Sequence, residues 1–173
     1  MTKGYKATYN FKCLDQLYKI GQEYKLDDKP EICKKGFHYC LNAAQTIKYY
    51  PINRNFKLLE IEDLSSDTVT EDNKSCSNHI KIIREITDSV EQMNLTGRAW
   101  CYDQLTRMFS IQDVHSFFVK CYYDENGNCI SYTDSNKAWG YWVYDDRLGC
   151  VTLSKFSDNY HASIFQTQIL TNY

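Results

Sequence analysis

The sequence predicts an α+β chain in which strands predominate, with short antiparallel sheets and one or two helices. Three observations lead there. Asn126-Gly127 sits between two β-branched and aromatic runs, residues 117–123 and 129–133, and supplies the positive φ of a type I′ hairpin turn. Ile80, Ile82 and Ile86 alternate with Lys81, Ile83 and Glu85, the period of a strand with one face buried. Asn42 stands ahead of Ala43, Ala44, Ile47 and Tyr50 and predicts a capped helix that stops at Pro51.

Taken in order, residues 4–8 and 22–26 read as short strands, and Asp27-Asp28-Lys29-Pro30 as a turn by composition. Residues 37–40 carry a bulky residue at nearly every step and read as a strand that leads into the Asn42 helix. Residues 56–62 read as a strand with both faces partly apolar, and residues 65–77 as a polar, charged loop in which Lys74 is solvated. Trp100, Leu105 and Met108 have near-helical spacing, which predicts a helix over residues 98–110. With Asn126 and Gly127 as a two-residue loop, Tyr123 faces Ile130 and Cys121 faces Tyr132. Residues 139–144 and 150–156 read as strands around a turn at 145–149, and residues 163–170 as a last strand. No internal repeat is read.

The chain of 173 residues divides by composition at residue 88. Residues 1–88 form the first α+β segment. Residues 89–173 form an aromatic, β-rich segment expected to pack on it; it is sparser in charge and holds all three Trp. Lys and Arg number 20 against 22 Asp and Glu, so the net charge of −2 argues against a general nucleic-acid or membrane-surface binder. The start is polar and reads as no signal peptide, and no run reaches the ~18 apolar residues of a membrane helix. The expectation is therefore a cytoplasmic protein. In that reducing setting the 8 Cys, none in Cys-x-x-Cys spacing, read mainly as small buried residues.

The first half carries Gly4-Tyr5-Lys6, Tyr18-Lys19-Ile20-Gly21-Gln22-Glu23-Tyr24, and Cys33-Lys34-Lys35-Gly36-Phe37-His38-Tyr39-Cys40. Tyr49-Tyr50-Pro51, Leu59-Glu60-Ile61-Glu62 and Asp72-Asn73-Lys74 follow in order. Over residues 4–86 this resembles an uncharacterised domain family of phage, bacterial and giant-virus proteins. The resemblance implies a virus-associated accessory protein and brings no activity with it. The same segment also looks like a short ADP-ribosyltransferase. That resemblance would give Lys6, His38 and Glu85 catalytic roles and would place Tyr5, Tyr39 and Tyr50 at an NAD-like ligand. A carboxylate is what such chemistry needs, because cleaving the nicotinamide–ribose bond builds an oxocarbenium-like centre. Against this stand the short length, Lys instead of Arg or His at the early position, and no paired late carboxylates.

Other constellations compete with plainer readings. Cys33, His38, Cys40, Cys76 and His79 offer zinc's preferred ligand types, but only Cys76 and His79 have a zinc-like gap. His38 and Cys40 read equally well as one face of a strand. Glu85 on a buried face would be costly unpaired, and Lys81 and Arg84 are near enough in sequence to neutralise it. Trp139 and Tyr141 share one strand face, Trp142 and Tyr144 the other; exposed rings of this kind are enriched at interfaces and also fill small β cores. Ser116, Ser154 and His161 form no nucleophile motif.

The leading expectation is a non-catalytic module that binds a protein partner or itself through Trp139, Tyr141, Trp142 and Tyr144, with no cofactor, no metal and no membrane. The alternative is an ADP-ribosyltransferase-like enzyme or a binder of NAD or ADP-ribose-type nucleotides, NAD being its cofactor. A zinc-stabilised module is the third.

Overall fold

The computed structural model describes residues 2–144 and 151–157. These form fifteen strands and two short helices, a mostly β protein. This corrects the α+β expectation, and the reason lies in three segments. The Asn42 helix closes after little more than one turn, residues 98–110 form strands, and the polar stretch 65–77 contains two more strands. The turn at 145–149, Cys150, His161 and the strand expected at 163–170 lie outside the described residues. The chain separates into two compact units, Met1–Arg98 and Ala99–Tyr173.

In the first unit the main sheet is antiparallel, and the long strands are β1 (Thr2–Tyr9), β6 (Phe56–Asp63) and β9 (His79–Glu85). The short strands β2 (Lys12–Cys13), β3 (Gln16–Leu17) and β4 (Glu23–Lys25) complete the order β3-β2-β1-β6-β9-β4. β1 and β6 pair without interruption from Thr2↔Asp63 to Tyr9↔Phe56. A second sheet has the order β5-β8-β7, from β5 (Phe37–Tyr39), β7 (Val69–Glu71) and β8 (Lys74–Ser77). Leu59, Ile61, Ile80 and Ile82 are fully enclosed and meet Tyr18, Tyr24, Phe37 and Tyr39 in one core. Each such aliphatic side chain contributes about 1.5–3 kcal/mol by leaving water. The alternation expected at residues 80–86 holds through Ile80 and Ile82, both buried, and breaks at the register shift opposite Glu60/Ile61, beyond which Arg84 is exposed.

The first helix, α1 (Ala43–Thr46), begins where expected: the Asn42 side chain accepts a hydrogen bond from the Ala44 N–H at 2.9 Å. Turn-type bonds, such as Tyr49 N–H to the Thr46 carbonyl at 3.1 Å, replace its continuation. The second helix, α2 (Ser89–Thr96), has no counterpart in the sequence reading. Its signals were present as Asp88 and Glu91, the spacing of a capping box, and Gly97 three residues past Asn94. Asp88 Oδ1 accepts from Glu91 N–H at 2.8 Å, and Gly97 closes the helix in the left-handed region at φ 74°.

Asp63, at the end of β6, ties both sheets together. Its buried carboxylate accepts from the Tyr39 hydroxyl (2.7 Å), the Ser77 hydroxyl (2.7 Å), the Thr68 hydroxyl and the Ser65 N–H (3.0 Å). Burial alone would raise its pKa; those four donors outweigh burial and hold it below the usual value.

The second unit is a meander in the order β10-β11-β12-β13-β14-β15. The strands are β10 (Arg98–Asp103), β11 (Met108–Asp113), β12 (Phe118–Tyr123), β13 (Cys129–Asp134), β14 (Trp139–Tyr144) and β15 (Val151–Phe156). Four of its turns among the described residues share one device. Asp103, Asp113, Asp124 and Asp134, spaced ten or eleven residues apart, each bend the chain by accepting loop N–H groups on the carboxylate. A positive φ follows each, at Arg107, Ser116, Gly127 and Lys137. This also explains the lost helix at 98–110, since Asp103 takes the Leu105 N–H at 2.8 Å and Arg107 turns left-handed at φ 52°.

The Asn126-Gly127 hairpin exists, but with a three-residue loop. Asp124 and Asn128 close it, Gly127 alone takes positive φ (85°), and the register shifts at Tyr122/Tyr123. Cys121 faces Tyr132 as expected, while Tyr123 pairs with Cys129 instead of Ile130. The physical reason is a type I turn followed by a glycine bulge, which consumes one residue more than a type I′ loop.

Candidate binding cavity

The first unit holds a cavity of about 310 Å³. Its floor is set by β1, which pairs with β6 on one edge and bridges Cys40 on the other. Tyr5 N–H donates to the Cys40 carbonyl at 2.7 Å, and Cys40 N–H returns to the Tyr5 carbonyl at 2.8 Å. That bridge brings β5 beside Lys6. Gly4 permits the approach, since a Cβ there would fall 2.3 Å from the Tyr39 ring.

Lys6 is 4% exposed. Its ammonium donates to the His38 carbonyl at 2.7 Å and stands 5.0 Å from the centre of the Tyr18 ring. Burial pushes its pKa down, opposed by the nearby thiols Cys13, Cys76 and Cys40. No carboxylate pairs with it among the described residues. His38 Nε2 accepts the Cys33 N–H at 2.9 Å, so the ring is neutral with its proton on Nδ1. Burial first, then Lys6 and Lys74, hold its pKa below the ordinary value.

Tyr5, Tyr39, Tyr49 and Tyr50 are among the lining residues. The hydroxyl of Tyr39 is committed to Asp63, and that of Tyr50 meets Cys13 Sγ at 2.8 Å. Lys74 also lines the cavity, donating to Cys33 Sγ at 3.3 Å and lying 4.7 Å from the Tyr49 ring. It is on β8 and not in a solvated loop, because Asp72, at φ 49°, turns the polar stretch back into a hairpin. Among the described residues the wall contains cations, phenols, thiols and one imidazole, and no Asp or Glu.

The sequence reading thus named five residues that the fold brings together: Tyr5, Lys6, His38, Tyr39 and Tyr50. Glu85 is not among the lining residues. It pairs with Lys57 at 2.9 Å, not with Lys81 or Arg84, which serve Glu23 and Glu60. The missed members are Lys74, Tyr49 and the thiol Cys13, while Cys33 and Cys40, read as zinc ligands, line the cavity instead. Of these, Tyr49 had a signal in the Tyr49-Tyr50-Pro51 triplet.

The zinc constellation does not assemble. Cys76 Sγ is directed to the Lys35 carbonyl at 3.2 Å, and His79 Nε2 lies 3.3 Å from Glu23. Among the described residues no three His, Cys, Asp or Glu side chains gather as a metal site.

In the second unit Trp142 is 8% exposed and contacts Tyr132 and Phe156, while the Tyr144 hydroxyl donates to the Cys129 carbonyl at 3.1 Å. Trp139 is 40% exposed and stacks on Tyr141, with ring centres 6.3 Å apart and planes 5° from parallel.

The first unit is therefore an antiparallel β domain with a cationic, ring-lined cavity. Residues 2–91 match the model of a domain of unknown function, DUF7666, and the chain belongs to that family. No curated protein and no solved structure matches the chain. No helix among the described residues is long and apolar enough to cross a membrane.

Proposed function

We propose that this chain is a non-catalytic binding protein whose first unit takes a small anionic ligand with a flat ring, of the kind represented by NAD and ADP-ribose. The observation that carries this reading is Lys6, an enclosed amine with a carbonyl and a ring for partners and no carboxylate. A buried cation without a counter-charge is costly, and an anion entering the cavity would remove that cost. Lys74 adds a second cation and the tyrosines offer faces for stacking. The volume suits the smaller ligand pockets, which begin near ~300 Å³. Glu85 lies outside the wall, which favours binding over cleavage of a glycosidic bond.

A thermal-shift series with NAD, ADP-ribose and AMP tests it. A true ligand at 100 times its dissociation constant adds about 2.7 kcal/mol of stability. No rise with any of the three would refute the reading.

A second reading, protein binding or self-association through the meander, is favoured by the exposed Trp139–Tyr141 stack. Light scattering coupled to sizing chromatography should give a mass above the 20.4 kDa monomer, reduced by Trp139→Ala. A monomer that captures no partner contradicts it. The virus-associated, cytoplasmic setting is supported by the resemblance of residues 4–86 alone, and a coding sequence located in a cellular chromosome outside any prophage would count against it.

A further inference from the structure

We infer that Lys6 captures carbonyl compounds: the cavity binds a phosphate- or carboxylate-bearing ring aldehyde and joins it to the lysine amine as an imine. The inference deepens the reading above and rests on the same cavity, adding a covalent step to it.

Three observations carry it. Lys6 lines a cavity large enough for a ring and one anionic group. Among the described residues its amine makes one hydrogen bond, to the His38 carbonyl, and no ion pair, so no carboxylate there holds it as an ammonium. The other cation on the wall, Lys74, belongs to β8, so an anionic group and a carbonyl on one ligand have separate partners. Burial, which depresses the amine pKa, supports the same conclusion, because only the neutral amine is nucleophilic. The phenols of Tyr18 and Tyr50 are pushed up by burial and stay protonated, so neither competes as an anion.

The step balances without an oxidant or a further reactant. The Nζ lone pair attacks the aldehyde carbon, a C–N bond forms and the carbonyl pair moves to oxygen, which takes one amine proton. The C–O bond of this carbinolamine then breaks. Oxygen leaves as water with the second amine proton, and the C=N bond remains.

The probes are pyridoxal 5′-phosphate and its alcohol, pyridoxine 5′-phosphate, which share ring and charge and differ at the carbonyl. The full chain is incubated with each, reduced with borohydride, digested and mapped by mass spectrometry. Both compounds should raise the melting temperature. Only the aldehyde should leave a reduced adduct, on Lys6 in preference to every other lysine. Lys6→Met should lose that adduct, and Lys74→Gln should weaken stabilisation by both compounds. An adduct confined to exposed lysines such as Lys12 and Lys34, with Lys6 unmodified, overturns the covalent inference. If the alcohol still stabilises the protein in that case, the binding reading survives. If neither compound stabilises it and Lys6 is unmodified, both fall.

Discussion

Replacing Asp63 by alanine should destabilise the first unit by about 3–5 kcal/mol, because it strips the shared acceptor from several buried donors at once. The Tyr39 and Ser77 hydroxyls reach this carboxylate from β5 and β8, so the substitution releases the second sheet from the end of β6. Asp63→Asn keeps the shape but presents an amide N–H₂ to donors, and should cost less than alanine. The pH dependence follows from the sign of the shift. The folded-state pKa of Asp63 is depressed, so its contribution is complete above the unfolded carboxylate value. It is lost as pH falls through the folded one. Glu60, Glu91, Asp103 and Asp124 are depressed too, and stability should decline in acid, with a smaller slope in Asp63→Asn. Urea unfolding followed by far-UV circular dichroism measures this; a loss below about 1 kcal/mol for Asp63→Ala would remove Asp63 from its central place.

Lys6→Met should leave the unliganded protein as stable as the wild type or about 1–2 kcal/mol more stable, since a buried unpaired amine gives way to an apolar side chain of similar length. The effect should depend on pH. Burial lowers the folded-state pKa of Lys6 below its ordinary 10.5, so the unfolded chain binds more protons between those two values. The wild-type cost is complete below the folded pKa and is relieved as pH rises toward the ordinary one. The advantage of Lys6→Met should therefore be largest on the acid side and shrink as pH rises. The same variant should lose the stabilisation that nucleotides give the wild type. A loss of more than about 2 kcal/mol in the unliganded variant would mean that the bond from Lys6 to the His38 carbonyl is structural and dominant.

Much of the first unit was legible in its residues. The strands at β1, β5, β6 and β9 were readable, β9 from alternation and β6 from a run apolar on both faces, and the Asn42 cap from its side-chain chemistry. Five cavity residues could be named because a family-like pattern grouped Tyr5, Lys6, His38, Tyr39 and Tyr50. What periodicity could not convey was pairing across the chain. Glu85 was matched to cations near it in sequence, whereas its partner, Lys57, belongs to the neighbouring β6. Lys74 read as solvated because its neighbours are polar, and only the left-handed turn at Asp72 carries it back to the cavity wall. The meander was misread at 98–110 because Trp100, Leu105 and Met108 mimic a helical period. The decisive signal was the recurrent aspartate that opens four turns, Asp103, Asp113, Asp124 and Asp134.

The most direct test is a calorimetric titration of ADP-ribose into the intact chain, wild type beside Lys6→Met, above and below neutral pH. Because an anion holds the lysine in its protonated form, the wild type should bind, more tightly on the acid side, and Lys6→Met should give no binding heat. Absence of binding to the wild type, or equal affinity in both proteins, would contradict the role assigned to Lys6.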